Sequence, residues 1–437
     1  MSGLQFEFAW ESPQAAGGAE LRATWAHLVI TINGIPVTQV HDYNARSVRN
    51  GIYLPLYPLT EWFAMSWWPL LFELETPRRE VHSDYPRRHS LRFSREGFAL
   101  PDLTIRPVGN NKISLEWKSS DLPMCGVRFL QQGSALLSRA EVQEAMTILI
   151  NGVVKRLECE GIAQAPLVEE WRTIDSADKE EREFCRTAAA LGLDPYNLSK
   201  EMAGSIIRAN DMLPAGVAPE FFPAAEAHLL EDEATSLLSG IRAGSEQSAD
   251  LLSLKKLKQE SPKFDPSRAP WQEGYAFART LRKNLGLNDR IAASLDDVGA
   301  FLGVDPVALR AALPLSGRVP TYCDALVTEN NLRSPGFIIS KRRNSSRSFT
   351  FCRGIFEYLT SASSTPLLIT GTQSEHQKRN RAFAAEFLAP AELLRKRLTS
   401  EAITTEDVDE LACEFHVSPY VIAHQLDNHR LARIILP

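Results

Sequence analysis

Hydrophobic and polar residues alternate over several short stretches near the start of the chain, and this alternation predicts strands. Residues 21–40 form two β-rich runs around Asn33-Gly34, the dipeptide most typical of a two-residue hairpin turn. Residues 98–108 and 112–120 alternate in the same way around a Gly-Asn-Asn turn signal. We therefore predict a β-rich domain over residues 1–120.

Aromatic side chains recur near helical spacing over residues 60–75, with Thr60 as the candidate N-cap. Trp62, Trp67 and Trp68 could form a binding platform for bases or for a peptide. Aromatic residues at this spacing are more often core residues. We expect one helix here, packed into the domain through its aromatic face.

The hydrophobic period of the next region is that of amphipathic helices. Ser138 and Glu141 have the spacing of a capping box, in which each side chain bonds the backbone N–H of the other residue. Helical patterns follow, so we predict a helical region over residues 121–241. Residues 242–268 are polar, rich in charge and Ser, and contain two prolines, which predicts a linker.

The last region, residues 269–437, has helical patterns, among them an apolar stripe of Phe351, Ile355, Tyr358 and Leu359. The sequence therefore predicts an α+β multidomain protein. It has an N-terminal β-rich domain, a helical middle region, and a mostly helical C-terminal domain.

The chain ends in a pattern of helix, tight turn and helix. The first helix covers residues 407–415, and the second begins at Pro419 with Ser418 as its N-cap. His416 stands where a DNA-reading helix-turn-helix usually has Gly, and the first helix is acidic, which repels phosphate. The side chains that the second helix would present to a groove are Tyr420, His424, Gln425 and Asn428. DNA reading and a purely structural role both remain open for these helices.

Two stretches of the C-terminal domain carry recognisable motifs. Residues 348–357 read SFTFCRGIFE, and residues 377–390 read QKRNRAFAAEFLAP. They resemble the two motifs of the ImmA/IrrE family of zinc peptidases, which have the forms RFT-x-x-H-E-x-x-H and E-x-x-A-N-x-FAAELL-x-P. The resemblance covers residues 270–437. It implies a zincin-like domain with a small sheet, in which residues 336–340 form the strand before the first motif helix. Domains of this family regulate mobile elements, phage immunity and stress responses.

The residues that bind and use zinc in that family are replaced in this chain. An HExxH motif places two His one helical turn apart on the ion, with the intervening Glu as general base. Arg353 and Glu357 stand at the two His positions, Gly354 at the base position, and Gln377 at the third ligand position. We therefore predict a pseudo-peptidase with no catalytic residues, no metal and no cofactor, zinc included.

Two alternatives would preserve an activity. An atypical metal site could use Cys352, Glu357, Glu375 and His376, which are ligand types close together in sequence. Cys352 could also act as a nucleophile, because the adjacent Arg353 would lower the pKa of a thiol.

The chain has a net charge of −6, which implies no global attraction to nucleic acid or to an anionic membrane. Local basic patches could still contact nucleic acid, because arginine beside aromatic residues suits phosphates and unstacked bases. The candidate contacts are Arg78, Arg79, Arg87, Arg88, Arg92, Lys341, Arg342 and Arg343. For the first five, the alternative is a solvated loop and edge strand.

The six cysteines are scattered and form no CxxC pair, which is typical of a reducing compartment. The first residues do not have the pattern of a signal peptide, and no apolar run has the length of a membrane span. We expect a cytoplasmic protein with no membrane association.

These observations predict a non-catalytic ImmA/IrrE-like component of a regulatory or phage-defence system that binds a protein or nucleic-acid partner, with a protein partner favoured. The groove beside the two motif helices could hold a peptide strand, with Arg353, Glu357 and Arg381 as polar contacts. The alternatives are an active metallopeptidase with an atypical metal site that cleaves a repressor-type protein, and a DNA-binding regulator.

Overall fold

The structure, a computed structural model, describes residues 3–13, 17–76, 84–109, 111–214, 216–246, 251–259, 269–313, 319–320, 322–330, 334–361 and 365–435. Helices account for 52% and strands for 20% of the structure, which confirms the predicted mixture of α and β. The sheets are small and mostly antiparallel. The chain divides into two compact units, Met1–Ile206 and Ile207–Pro437.

The strands of the first unit pair into three antiparallel sheets. They are β1 (Leu4–Trp10), β2 (Trp25–Ile32), β3 (Ile35–Pro36), β4 (Val40–Asp42), β5 (Ser47–Arg49), β6 (Ile52–Pro55), β7 (Asp102–Gly109), β8 (Lys112–Lys118), β9 (Ser120–Leu122), β10 (Val127–Phe129) and β11 (Gly133–Ser138). The sheet orders are β1-β2-β3 with β6 also on β2, then β5-β4-β10-β9, and β11-β8-β7. Strands β10 and β11 lie beyond Ser120, where the sequence predicted no strand.

The predicted hairpin is confirmed, because β2 and β3 pair around Asn33 and Gly34. Both residues have positive φ, +49° and +82°, as a two-residue hairpin turn requires. The sequence did not predict β1, which pairs with β2 along its whole length. The predicted pairing of β7 with β8 is also present.

The helices of the first unit are α1 (Ala19–Ala23), α2 (Tyr57–Met65), α3 (Trp67–Phe72), α4 (Tyr85–His89), α5 (Arg139–Cys159), α6 (Pro166–Ser176) and α7 (Lys179–Ala190), with α8 (Lys200–Met212) at the division between the units. Short 3-10 helices cover Leu91–Ser94 and Pro123–Cys125. The capping box of Ser138 and Glu141 at the start of α5 is confirmed.

The predicted aromatic helix is two helices, α2 and α3, which are separated at Ser66. Thr60 is not an N-cap, because α2 begins earlier with Pro58 in its first turn, and the Thr60 hydroxyl donates to the carbonyl of Leu56. Phe63, Trp67 and Trp68 are buried in the hydrophobic core. The interpretation of these aromatic residues as core residues is therefore confirmed.

The second unit contains a small sheet surrounded by helices. Its elements are α9 (Ala218–Phe221), α10 (Leu230–Ser245), α11 (Leu252–Gln259), α12 (Pro270–Asn284), α13 (Leu295–Phe301), α14 (Pro306–Ala312), β12 (Cys323–Glu329), β13 (Pro335–Ile339), α15 (Asn344–Thr360), β14 (Leu367–Thr370), α16 (Glu375–Leu388), α17 (Ala391–Arg397), β15 (Ala402–Thr404), α18 (Thr405–Glu414), α19 (Pro419–Asn428) and β16 (Arg433–Ile435). The sheet has the antiparallel order β13-β12-β14, and β15 pairs in parallel with β16.

Helix α15 lies at the centre of this unit. Every residue from Thr350 to Leu359 is buried, because α15 packs on the sheet and on α11, α13 and α16. The apolar stripe of Phe351, Ile355 and Leu359 faces the core as the sequence predicts. The polar residues between them are therefore buried as well and need internal partners.

Part of the predicted linker is folded. Residues 247–250 and 260–268 lie outside the described residues, but the segment between them forms α11. Leu251 and Leu254 are fully buried in the core of the second unit. Leu254 lies in the first turn of α11, and Leu251 directly precedes the helix and accepts a 3.0 Å hydrogen bond from the backbone nitrogen of Leu254. The sequence did not predict this short apolar segment, because the residues around it are polar.

Helices α12 and α16 approach each other closely at Gly274. A Cβ at this position would lie 2.3 Å from the carbonyl oxygen of Arg379 and 2.9 Å from the backbone nitrogen of Phe383. Arg282 of α12 also donates a 2.7 Å hydrogen bond to the carbonyl of Phe387. The close contact between α12 and α16 is possible only because residue 274 is a glycine, which has no side chain.

We expect Gly274→Ala to lower the free energy of unfolding of the second unit by about 1–3 kcal/mol, because backbone atoms must move to admit the methyl group. The higher helix propensity of Ala would contribute about 1 kcal/mol in the opposite direction, so destabilisation identifies the steric contact. Gln272→Ala, on the exposed side of the same helix, is the matched control. Urea denaturation of the two variants measures the difference, and a stabilised Gly274→Ala would contradict the contact.

Candidate functional site

The side chain of Arg353 forms the centre of a buried polar cluster in the second unit. It is 3% exposed, and its guanidinium donates hydrogen bonds to Asn380 Oδ1 at 2.7 Å and Asp324 Oδ2 at 2.8 Å. It also donates to the carbonyl of Thr370 and to Gln377 Oε1, both at 2.7 Å. These bonds join α15 to β12, β14 and α16. Arg353 is therefore not a surface contact for a peptide.

Glu357 lies one helical turn after Arg353 and is 1% exposed. Its Oε1 accepts a hydrogen bond from Asn380 Nδ2 at 2.7 Å, and its Oε2 forms a 2.6 Å ion pair with His376 Nε2. Asn380 thus bridges the two positions, because its carbonyl oxygen accepts from Arg353 and its amide donates to Glu357. The carboxylate of Glu357, like the guanidinium of Arg353, therefore bonds other residues of the fold.

Gln377, the third motif position, also lies in this cluster. Its Oε1 accepts from Arg353, and its Nε2 donates to the carbonyl of Leu368 at 2.8 Å and to Glu220 Oε2 at 3.0 Å. Glu220 also accepts from Ser374 Oγ at 2.9 Å. The neutral amide can donate and accept at once in this place, which a carboxylate could not do.

Gly354 faces the sheet and not the polar cluster. A Cβ on Gly354 would lie 3.2 Å from side-chain atoms of both Phe337 and Val327. A carboxylate built at this position would enter the apolar layer between α15 and the sheet.

The donor groups at the motif positions differ from the set that zinc sites use. Zinc sites use three or four Cys, His, Asp or Glu donors around the ion, with thiolates and carboxylates ionised and imidazole neutral. Here the positions hold a guanidinium, no side chain, one carboxylate and one amide. Among the described residues, no group of three or more His, Cys, Asp or Glu side chains is placed to hold a metal ion.

The proposed atypical donors are only partly brought together. Glu357 and His376 meet, but they bond each other. Cys352 is 1% exposed and lies in the hydrophobic core. Burial raises the pKa of the Cys352 thiol well above its usual value. The hypothesis of a thiol activated by Arg353 is therefore wrong, because the Cys352 side chain is surrounded by apolar groups.

The charges in the cluster shift the pKa values of two neighbouring side chains, Asp324 and His376. Burial would raise the pKa of Asp324, but Arg353 and Lys341 lower it below its usual value. Burial would lower the pKa of His376, but the hydrogen bond and charge of Glu357 and the charge of Glu220 raise it to about 9. His376 is therefore a cation at neutral pH.

The predicted nucleic-acid contacts lie in different environments. Arg78 and Arg79 lie outside the described residues. Arg87 and Arg92 are exposed, and residues 85–94 form α4 and a 3-10 helix, not the predicted loop and edge strand. Arg342 and Arg343 are exposed just before α15, and Lys341 pairs with Asp324 Oδ1 at 2.5 Å.

Arg88 does not suit the predicted role of a surface contact. Its guanidinium donates two hydrogen bonds, of 2.9 and 2.6 Å, to the carboxylate of Glu73, which is fully buried. Burial would raise the pKa of Glu73, but the bonds and charges of His89 and Arg88 lower it to about 2. Arg88 is thus a structural partner of a buried anion, because Glu73 needs its charge.

The last helices form as predicted, with Ser418 at the N-cap position and Pro419 in the first turn of α19. His416 takes the left-handed conformation, at φ +52°, that Gly would take in this turn. Tyr420 and His424 are exposed. Gln425 cannot read a groove, because it is fully buried and its amide donates to Glu386 Oε2 and the carbonyl of Ala389. Asn428 donates to Tyr275 Oη at 3.1 Å.

The sequence did not identify Asp324, Glu220, Thr370 and Asn380 as members of the cluster. Asn380 lies within the second motif stretch but carried no signal of its own, because it stands at the Ala position of the family motif and the Asn position is held by Arg381. Glu220 and Asp324 lie far from the motifs in sequence and have no local pattern that marks them.

No family model matches this chain, and neither a curated protein nor a solved structure was found that resembles it. Within the described part of the chain, no helix is both long and apolar enough to cross a membrane. All six cysteines are free thiols.

We expect Arg353→Met to lower the free energy of unfolding of the second unit by about 3–5 kcal/mol, because it removes one of the two cations that pair with Asp324 and leaves the buried acceptors of Asn380, Gln377 and Thr370 without this donor. Arg342→Met makes the same chemical change at an exposed neighbour and should cost less than about 0.5 kcal/mol. Urea denaturation, with hydrogen exchange in α15 and α16, measures both. Equal stability of the two variants would show that the cluster does not hold the unit together.

The raised pKa of His376 also predicts a pH dependence. The folded pKa of about 9 exceeds the ordinary value of 6.5, so the stabilisation is full below pH 6.5 and is lost as pH rises through 9. The shift corresponds to at most about 3 kcal/mol, and solvent access to the side chain reduces this to about 1–2 kcal/mol. The stability difference between the wild type and His376→Asn should shrink over this range. A difference that grows with pH would contradict it, and His228→Asn controls for loss of an exposed imidazole.

Proposed function

We propose that the second unit is an ImmA/IrrE-like scaffold that has lost its metal site and binds a partner without cutting it. On this proposal the protein is a non-catalytic component of a bacterial or phage regulatory or antiphage-defence system. The observation that carries the proposal is the position of Arg353. Its guanidinium lies where the motif positions on α15 and α16 converge, and it bonds Gln377 directly and Glu357 through Asn380.

The chemistry of these groups supports a binding role. A guanidinium holds a fixed positive charge and donates hydrogen bonds, but it cannot bind and polarise a water molecule as a metal ion does. The base position has no side chain, and the third ligand position has an amide that is already hydrogen-bonded on both sides.

The finer architecture belongs to the same proposal. We infer a zincin-like arrangement of α15, α16 and the sheet β13-β12-β14, which follows an N-terminal β-rich domain and a helical region. The free thiols support a cytoplasmic location. A protein partner is favoured, because Arg88 and Gln425 are unavailable to nucleic acid.

We expect the protein, purified without chelator or His tag, to hold less than about a tenth of an equivalent of zinc. Chelator should leave its unfolding transition unchanged, because a structural zinc would contribute folding energy. Plasma mass spectrometry and thermal denaturation with and without chelator measure the two quantities. Near-stoichiometric zinc that is lost in both Glu357→Gln and His376→Asn would overturn the proposal in favour of an atypical metallopeptidase.

A designed variant provides the complementary test. Arg353→His combined with Glu357→His and Gln377→Glu would restore three ligand types at the converging positions and leave Gly354 unchanged. A metallopeptidase-derived scaffold should then bind about one zinc per chain. A folded variant that holds no more zinc than the wild type would contradict the resemblance.

A further inference from the structure

A cavity of about 650 Å³ opens beside the Arg353 cluster, within the second unit. Its walls come from α12, α15, α16 and α19. The volume lies in the range of small-molecule ligand sites. The sequence suggested a peptide strand in a groove beside these helices, but of the polar contacts expected for it Arg353 and Glu357 bond within the fold.

The charged side chains around this cavity are mainly cationic. Lys341, Lys378 and Arg381 line it together with Arg353, and Asp324 is the acidic lining residue. Asp324 is neutralised, because it pairs with both Arg353 and Lys341. The lining therefore has four cationic side chains and one acidic side chain, a balance that favours an anionic ligand.

Arg381 uses only one of its three guanidinium nitrogens in hydrogen bonds to the described residues. Its Nη2 donates to the carbonyl of Thr372 at 2.7 Å and to Gln373 Oε1 at 3.2 Å. Within the described residues, its Nε and Nη1 have no hydrogen-bond partner, and no carboxylate lies within ion-pair distance. A guanidinium fork of this kind suits the oxygens of a phosphate.

The electrostatic environment of Arg381 supports the same interpretation. Burial and the charge of Arg353 lower the pKa of Arg381 to about 9. Arginine nevertheless stays protonated in proteins. The charges of Asp324 and Glu220 act in the opposite direction but do not offset burial and Arg353, so a bound anion would stabilise the Arg381 cation further.

Aromatic side chains flank the cationic part of the cavity. Trp271 and Tyr420 line it and are 49% and 72% exposed, an unusual exposure for large aromatic residues. Tyr420 packs edge to face with His424, with ring centroids 4.2 Å apart. Exposed aromatic rings beside cations are the arrangement that stacks a nucleobase.

We propose that this cavity binds a mononucleotide, with its phosphate on Arg381 and its base against Trp271 or Tyr420. The proposal is independent of whether the second unit descends from a peptidase. A free nucleotide is favoured over a nucleic-acid strand, because the exposed face of the adjacent α18 is acidic and would repel a phosphate backbone that continued past the cavity. The acidic residues of that helix are Glu406, Asp407, Asp409, Glu410 and Glu414.

The test is isothermal titration calorimetry of the full chain with adenosine and guanosine 5′-monophosphate. We expect saturable binding of at least one of them, with weaker binding of the corresponding nucleoside and of inorganic phosphate. Arg381→Gln should weaken binding about tenfold or more, because it removes a charge-assisted contact. Trp271→Ala should weaken it about fivefold or more by loss of stacking.

Arg395→Gln removes an exposed arginine outside the cavity and is the charge-matched control, which should bind as the wild type does. Arg381→Lys keeps the charge without the fork and should bind between wild type and Arg381→Gln. If Arg381→Gln fails to fold, the exposed Trp271→Ala decides the outcome.

Three results would overturn the proposal. They are the absence of saturable binding at millimolar nucleotide, binding that Arg381→Gln and Trp271→Ala leave unchanged, and binding of a 5′-phosphorylated oligonucleotide about tenfold tighter than either mononucleotide. The last result would assign the cavity to the end of a nucleic-acid strand.

Discussion

The second unit depends on a buried positive charge that must be compensated from several directions at once. Taking a guanidinium out of water costs several kcal/mol unless hydrogen bonds and an opposite charge replace the lost solvation. Arg353 obtains the charge from Asp324 and the remaining bonds from Asn380, Gln377 and the carbonyl of Thr370. Because these partners lie on β12, β14 and α16, the charge is satisfied only when sheet and helices are in register.

A guanidinium can take over the structural role of a metal ion but not its catalytic role. A metal ion in a peptidase both crosslinks its ligands and activates water. A guanidinium can crosslink oxygen acceptors, but it offers no site at which water becomes a nucleophile. The ion pair of Glu357 with His376 adds a second link between α15 and α16. On our proposal, the former metal site now only stabilises the fold, and the partner binds to the surface beside the cluster.

Helix α15 connects the cluster with the neighbouring cavity. Arg353 is fixed by the buried network, while Phe349 and Ser345, one and two turns earlier, line the cavity. On α16, Arg381 of the cavity wall directly follows Asn380 of the cluster. A rigid cluster therefore positions the cationic wall of the cavity, and a ligand there would meet side chains whose backbone is already held in place.

The sequence by itself determined most local elements of this protein. The hairpin at Asn33-Gly34, the capping box at Ser138 and the start of α19 at Pro419 follow from backbone preferences of a few adjacent residues. The proximity of Arg353 and Glu357 could also be expected, because residues four apart lie on the same side of a helix. The place of Gln377 on another helix was expected only from the family resemblance.

Only the tertiary structure decided which polar side chains are used internally. Arg88 has the sequence context of a surface arginine, but the fold places it against the buried Glu73. Gln425 lies on a helix with exposed neighbours, yet it bonds Glu386. Hydrophobic periodicity specifies which face of an element is apolar, whereas the partner of a polar group depends on residues that are distant in sequence and become neighbours only when the elements pack.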